Sequence, residues 1–127
     1  MRLVPITAII VDDSLAEREW IKLALRNADI AWLEASNPVR AASLARAVPV
    51  DVIVLDLHIP PMEGREAVDT LRACGYAGPV VVYTGYTDVE VIRSLLGEGI
   101  LVATKGITDP TGLAALVFIA VEASNLG

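Results

Sequence analysis

The chain has 127 residues, a length that fits one domain and leaves little room for a second. Hydrophobic residues make up 54% of it, well above what a disordered chain carries. Its formal net charge of −6, from 10 basic and 16 acidic side chains, lacks the cations that neutralise nucleic-acid phosphates or draw a protein to an anionic membrane.

The one cysteine, Cys74, excludes an internal disulfide and a cysteine-rich zinc site, and reads as a buried or half-buried thiol. No apolar run approaches the ~20 residues that span a bilayer. The opening MRLVPITAIIVDD ends its apolar run in two aspartates rather than small residues, which is not a signal-peptide pattern. The expectation is a single cytoplasmic domain over residues 1–127, with no output domain after it.

Five short apolar runs alternate with helical patterns. Strands are expected at Ile6–Val11, Ile30–Ala35, Val52–Leu55, Val80–Tyr83 and Ile100–Ala103. The second run alternates and belongs at a sheet edge, whereas the third and fourth are continuous and β-branched, as suits strands buried on both faces. Ser14-Leu15-Ala16-Glu17 is a capping box, followed by Ile21, Ala24, Leu25 and Ala28 at helical spacing. Asn37-Pro38 caps a helix that continues over Val39–Ala47, and a third helix runs from about Arg65 to Ala73. Thr87-Asp88-Val89-Glu90 is a second capping box, leading into Val91–Leu96 and ending at Gly97 or Gly99. Asp109-Pro110 opens a last helix through Leu113–Ala123.

Strict alternation of strand and helix implies a parallel sheet covered on both faces, with ligands bound beyond the carboxyl ends of its strands. The first strand ends in Asp12-Asp13, the third in Asp56 and the fourth in Thr84, and the fifth leads through Thr104 to Lys105. Alone, each residue has an ordinary reading as a turn or a solvated helix start. Together at one edge they make a site. Three converging carboxylates repel one another, and a hard divalent cation such as Mg²⁺ relieves that repulsion. A carboxylate, a metal, an ammonium and a hydroxyl suit phosphoryl transfer, with an aspartyl phosphate as one outcome.

These residues are similar to the response-regulator receiver domain of two-component signalling. The resemblance rests on IIVDD (Ile9–Asp13), VLDLHIPPMEG (Val54–Gly64), VVYTGYTD (Val81–Asp88) and the Lys105 region, and covers nearly the whole chain. It implies a doubly wound (βα)5 flavodoxin-like α/β fold with strand order 2-1-3-4-5. It also implies that Asp56 accepts a phosphoryl group from a histidine kinase or phosphotransfer protein. Mg²⁺ would be held by Asp13 directly, by Asp12 through water, by Asp56 and by the backbone carbonyl of His58. Lys105 would pair with the phosphoryl group, and Thr84 would swing in to bond it, resetting a face that contacts a downstream effector.

The sequence departs from the family pattern in three places. Gly106 stands after the lysine where the family has proline, and positive φ is the means by which glycine bends such a loop. The family's switching aromatic, three residues before the lysine, is replaced by Val102, or by Leu101 if the loop is one residue short. Arg65 follows Gly64 where an apolar residue is usual, and reads as a solvated helix-start residue. The side chain of His58 reads as an exposed loop group that modulates access, and Gly85 leaves the entrance open. Trp20 and Trp32 read as partly buried packing residues.

Rival readings are a receiver-like interaction module that is never phosphorylated, an aspartyl-phosphate phosphatase and a flavin binder. The phosphatase wants a second aspartate where His58 stands, and Asp12-Asp13 would repel a flavin phosphate. From Pro110 to Gly127 the only charged residue is Glu122. Leu113, Leu116, Val117, Ala120 and Val121 supply a sheet-facing stripe, and Ala114, Ala115, Phe118 and Ile119 leave apolar groups elsewhere on the helix. That composition points to a protein–protein surface, most simply a two-fold homodimer through the fifth helix.

Overall fold

The structure, a computed structural model, describes residues 5–85 and 88–126. In chain order the elements are β1 (Thr7–Val11), α1 (Leu15–Asn27), β2 (Ala31–Ala35), α2 (Pro38–Ala47), β3 (Val52–Leu55), α3 (Glu66–Ala73), β4 (Val80–Thr84), α4 (Val89–Gly97), β5 (Leu101–Thr104) and α5 (Pro110–Leu126). The strands form one parallel sheet in the order β2-β1-β3-β4-β5. This is the doubly wound α/β fold expected from the alternation.

The burial of each strand follows its place in the sheet. Every residue of β3 and β4 is buried, while the edge strand β2 keeps only Ala35 buried. Side chains alternate across the sheet, so it divides the interior into two cores. Ile9, Val11, Ile53, Leu55 and Val82 pack with buried residues of α2, α3 and α4. Ile10, Val54, Val81, Tyr83 and Ala103 pack on the other face against Leu25 of α1 and Leu113, Val117 and Val121 of α5.

The helix starts follow the expected chemistry in part. Ser14 Oγ accepts the Glu17 N–H at 3.3 Å, and Asn37 Oδ1 accepts the Arg40 N–H at 2.8 Å. The reciprocal half of the first capping box is absent, because the Ser14 N–H donates to Asp12 instead, at 2.9 Å. At the start of α4, Asp88 caps the helix, its Oδ1 accepting from the N–H groups of Glu90 and Val91. Thr87 lies outside the described residues.

Ile30 and Ile100, expected to open strands, instead close the preceding helices. Their N–H groups bond back to the carbonyls of Leu25 (2.9 Å) and Leu95 (3.1 Å). The residues before them, Asp29 and Gly99, take the left-handed conformation that this ending requires. Both isoleucines are still buried, at 2% exposure, so each apolar run serves as helix anchor first and strand second.

Leu113 is fully buried and Ile119 is 54% exposed, although both lie on α5. Leu113→Ala is therefore expected to lower the free energy of unfolding by about 2–5 kcal/mol. Ile119→Ala is expected to stay within about 0.5 kcal/mol of the parent. Urea denaturation with an unchanged slope for both variants checks the contrast.

Candidate functional site

The sheet order reverses at β1, which has β2 on one side and β3 on the other, and the crevice beyond their carboxyl ends holds the acidic residues. Asp12 and Asp13 follow β1, and Asp56 follows β3. The Asp56 N–H donates to the Val11 carbonyl at 3.0 Å, and that of Asp12 to the Ala35 carbonyl at 3.3 Å. The backbone ladders thus run up to the site. Oxygen atoms of Asp12, Asp13 and Asp56 lie within 4.8 Å of one another. Asp12 is fully buried and Asp56 nearly so, while Asp13 is exposed.

Two donors arrive from β4 and from the turn after β5. Thr84 Oγ1 donates to Asp56 Oδ1 at 2.9 Å, and the His58 N–H donates to the same oxygen at 3.1 Å. Lys105 Nζ lies 3.1 Å from Asp56 Oδ2 and 3.0 Å from Asp12 Oδ2. Its ammonium therefore bridges the two buried carboxylates. The register pairs Thr84 with Thr104, and the Lys105 N–H donates to the Thr84 carbonyl at 3.0 Å. Gly106 follows with φ +81°, and the chain turns so that Ile107 and Thr108 bond back to the Thr104 carbonyl. The glycine thus bends this loop by the left-handed conformation expected of it.

Burial pushes the Asp12 carboxyl above its ordinary value and the nearby Asp56 charge adds to the rise, against the pull of the Ser14 N–H and of Lys105. Burial alone would lower the Lys105 ammonium. The Asp12 hydrogen bond and the Asp56 and Asp12 charges outweigh it and hold Lys105 above its ordinary value. Four groups of one local charge balance are thus held in tension: three carboxylates and one ammonium. The donor set is all hard oxygen, and its most buried member is the one that resists ionising. An acidic cluster of this kind is compatible with Mg²⁺.

The site residues read from the sequence are therefore brought together: Asp12, Asp13, Asp56, Thr84 and Lys105. Asp56, His58, Gly85 and Lys105 line a cleft of about 350 Å³, and the side chain of His58 is exposed. A Cβ on Gly85 would meet no atom within 4 Å, so the entrance has room to spare. Val102 sits three residues before Lys105, opposite Val82 and packed against the core, so no aromatic occupies that position.

Arg65 departs from the solvated role expected of it. From the start of α3 its guanidinium bonds Ser94 of α4 and Glu98 just after that helix, with Asp69 on its own helix. Sequence reasoning also passed over Arg18, which donates to the Asp12 carbonyl at 2.7 Å, and Glu17, 3.8 Å from Lys105 Nζ. Their helical offset from Asp13 placed both on the first turn or so of α1, facing the site, and that was the available signal.

A family model described as the response regulator receiver domain matches residues 8–116. The chain belongs to that family. Among curated relatives, this receiver domain is 34% identical over 100 residues to the transcriptional regulatory protein YdfI of Bacillus subtilis, covering 77% of this chain and 45% of that protein. It is 34% identical over 97 residues to the nitrate/nitrite response regulator NarL of Escherichia coli, covering 75% and 45%. The chain thus spans less than half the length of these two relatives. In fold, it resembles the receiver domain of an HD domain-containing protein from Pseudomonas fluorescens, with a TM-score of 0.81 at 19% identity, over 98% of this chain and 100% of that one. No helix among the described residues is long and apolar enough to cross a membrane.

Because the folded-state pKa of Asp12 lies above the unfolded value near 3.8, its contribution to stability is present below that pH and lost as pH rises through the folded value. Asp12→Asn is therefore expected to be more stable than the parent at pH 7 in chelator. Saturating Mg²⁺ is expected to stabilise the parent by about 1–3 kcal/mol and the variant by much less. Thermal melts with and without the metal check both signs.

Proposed function

We propose that this receiver domain takes a phosphoryl group onto Asp56 and that the change of charge there resets a protein-contact face. The observation that carries this reading is that Thr84 of β4, the His58 N–H of the loop after β3 and Lys105 of the turn after β5 all bond the Asp56 carboxylate, at the mouth of an open cleft. A carboxylate held this way has a fixed direction of approach for an incoming phosphorus atom.

In the transfer, an Asp56 oxygen forms the new bond to phosphorus as the bond from phosphorus to a donor imidazole nitrogen breaks. The nitrogen leaves with the electron pair. The donor is a histidine kinase or a histidine phosphotransfer protein. Asp12, Asp13, Asp56 and the His58 carbonyl would hold Mg²⁺, which supplies charge neutralisation for the anionic phosphoryl group. Once phosphorylated to the acyl phosphate, the Asp56 oxygens are weaker acceptors, and the negative charge sits on the phosphoryl oxygens. Lys105 and Thr84 then have better partners there than on the carboxylate. Their displacement is the physical event that a downstream effector reads. The domain is a phosphoacceptor in signalling rather than a turnover enzyme, and the exposed His58 leaves no carboxylate in the place a phosphatase would need one.

The same reading includes a second copy of the chain as a contact. Phe118 and Ile119 on α5 are 41% and 54% exposed, on a helix whose only charge is Glu122. Such a face supports a two-fold homodimer through α5 and its neighbours. Light scattering on the protein, with and without beryllium fluoride, is expected to show a dimer fraction that Ile119→Lys abolishes.

Labelling with acetyl phosphate and Mg²⁺, read by mass spectrometry, tests the main proposal. Asp56→Asn is expected to abolish the added phosphoryl mass. Lys105→Ala and Thr84→Ala are expected to keep the fold and impair the phosphorylated state. An unphosphorylated interaction module would give no labelling of the parent protein at all.

A further inference from the structure

The alternation of β4 sends Thr84 to Asp56 and its neighbour Tyr83 to the opposite face of the sheet, among the core residues of α1 and α5. Aliphatic or small residues flank it there: Val81 on its own strand and Ala103 beside it on β5. Tyr83 is 3% exposed and stacks on Trp20 of α1, with ring centroids 4.9 Å apart and planes 5° from parallel. The other side of the arrangement meets the site. Lys105 Nζ lies 5.8 Å from the centroid of the Tyr83 ring, within the ~6 Å over which a cation and an aromatic face attract.

A lysine ammonium is a compact charge with three donors on a flexible four-carbon stem, so its position is set by what surrounds it. Here Asp12 and Asp56 each take a hydrogen bond, and Glu17 at 3.8 Å is too far for a third. Glu17 adds charge attraction without a hydrogen bond, and the Tyr83 ring supplies a further attractive surface that Lys105 meets face-on. The ring cannot tilt freely, because Trp20 lies flat against it.

We propose that Tyr83 is a positioning residue, whose ring face, braced by Trp20, fixes the Lys105 ammonium for phosphoryl transfer to Asp56. The role rests on the phosphoacceptor reading of Asp56. It also makes α1 responsive to the site: when Lys105 moves to a phosphoryl group, the charge over the stacked pair moves with it, and Trp20 senses the change.

Three readouts on the protein test this. The side-chain protons of Lys105 next to Nζ are expected to show an upfield ring-current shift that Tyr83→Phe keeps and Tyr83→Leu loses. In labelling by acetyl phosphate, Tyr83→Leu is expected to lower the limiting rate about fivefold, the scale of one cation–aromatic contact. Its KM for acetyl phosphate and its Mg²⁺ requirement should stay within twofold of the parent, and Tyr83→Phe should match the parent in rate. With Trp32→Phe leaving Trp20 as the one tryptophan, beryllium fluoride with Mg²⁺ is expected to change the emission. A residue that only fills the core would lower the melting temperature and leave the limiting rate and the emission response unchanged. A Tyr83→Leu rate within twofold of the parent, or a Tyr83→Phe rate as low as that of Tyr83→Leu, overturns the role while leaving Asp56 as the acceptor. No labelling of the parent removes the acceptor reading and this role with it. If Tyr83→Leu does not fold, Trp20→Leu answers the same question by removing the brace: an unchanged limiting rate and unchanged Lys105 resonances in that variant overturn the proposal.

Discussion

One ammonium held between two buried carboxylates is the constraint from which much of this domain follows. Lys105 lies 3.0 Å from Asp12 and 3.1 Å from Asp56, and neither carboxylate has solvent to speak of. Remove the cation, and two buried like charges face each other across a crevice with the exposed Asp13 beside them. Burying charge is unfavourable unless it is paired, and here the pairing is deliberately incomplete: two carboxylates to one lysine. Such a balance is poised to accept a cation, and to change when the charge on either carboxylate changes.

The sheet order is what allows those groups to meet. Asp12 and Asp56 are 44 residues apart in the chain and become neighbours only because β1 pairs directly with β3. The alternation of apolar runs and helix caps made a parallel sheet with polar residues at one edge legible in advance, while the direct pairing of β1 with β3 was implied only by the family resemblance. Less legible was where each run would divide between strand and helix ending. Ile30 and Ile100 satisfy the pattern of a strand and the hydrophobic anchor of a helix C-terminus equally well, and only the positive φ of Asp29 and Gly99 decides it. Side chains acting across elements were hidden for a different reason. That Arg65 would reach Ser94 and Glu98 depends on how α3 and α4 are set side by side, and no local spacing encodes that distance. The stack of Trp20 on Tyr83 is a contact of the same kind: Trp20 was legible as a packing residue and Tyr83 as the end of a buried strand, and neither as a neighbour of Lys105.

The Ser14 cap shows how closely the site and the fold are joined. Had its N–H been met by Glu17, the start of α1 would be a self-contained capping box. Instead Asp12 takes that N–H at 2.9 Å, and Arg18 from the next turn holds the Asp12 carbonyl at 2.7 Å. Glu17 is left facing Lys105 at 3.8 Å. The first helix is therefore tied to the acidic residue at both its backbone and its side chain. A change in charge at Asp12 is felt by α1 without passing through the sheet.

On the other side of the crevice the connection runs through β4 and β5. The strand that leads to Lys105 is an edge strand, bonded to β4 alone, and Thr84 and Lys105 are linked by one backbone hydrogen bond at the end of that pairing. Thr84, on the interior strand β4, and Lys105, just past the edge strand β5, are thus joined through the backbone beside the carboxylates that follow β1 and β3. The turn after Lys105 is closed by Thr104 and Thr108, with Gly106 in a left-handed conformation and open space where a side chain would be. If Asp56 takes the phosphoryl group as proposed, a shift of Thr84 and Lys105 towards it is carried outward by the elements attached to them, β4 with α4 and β5 with α5.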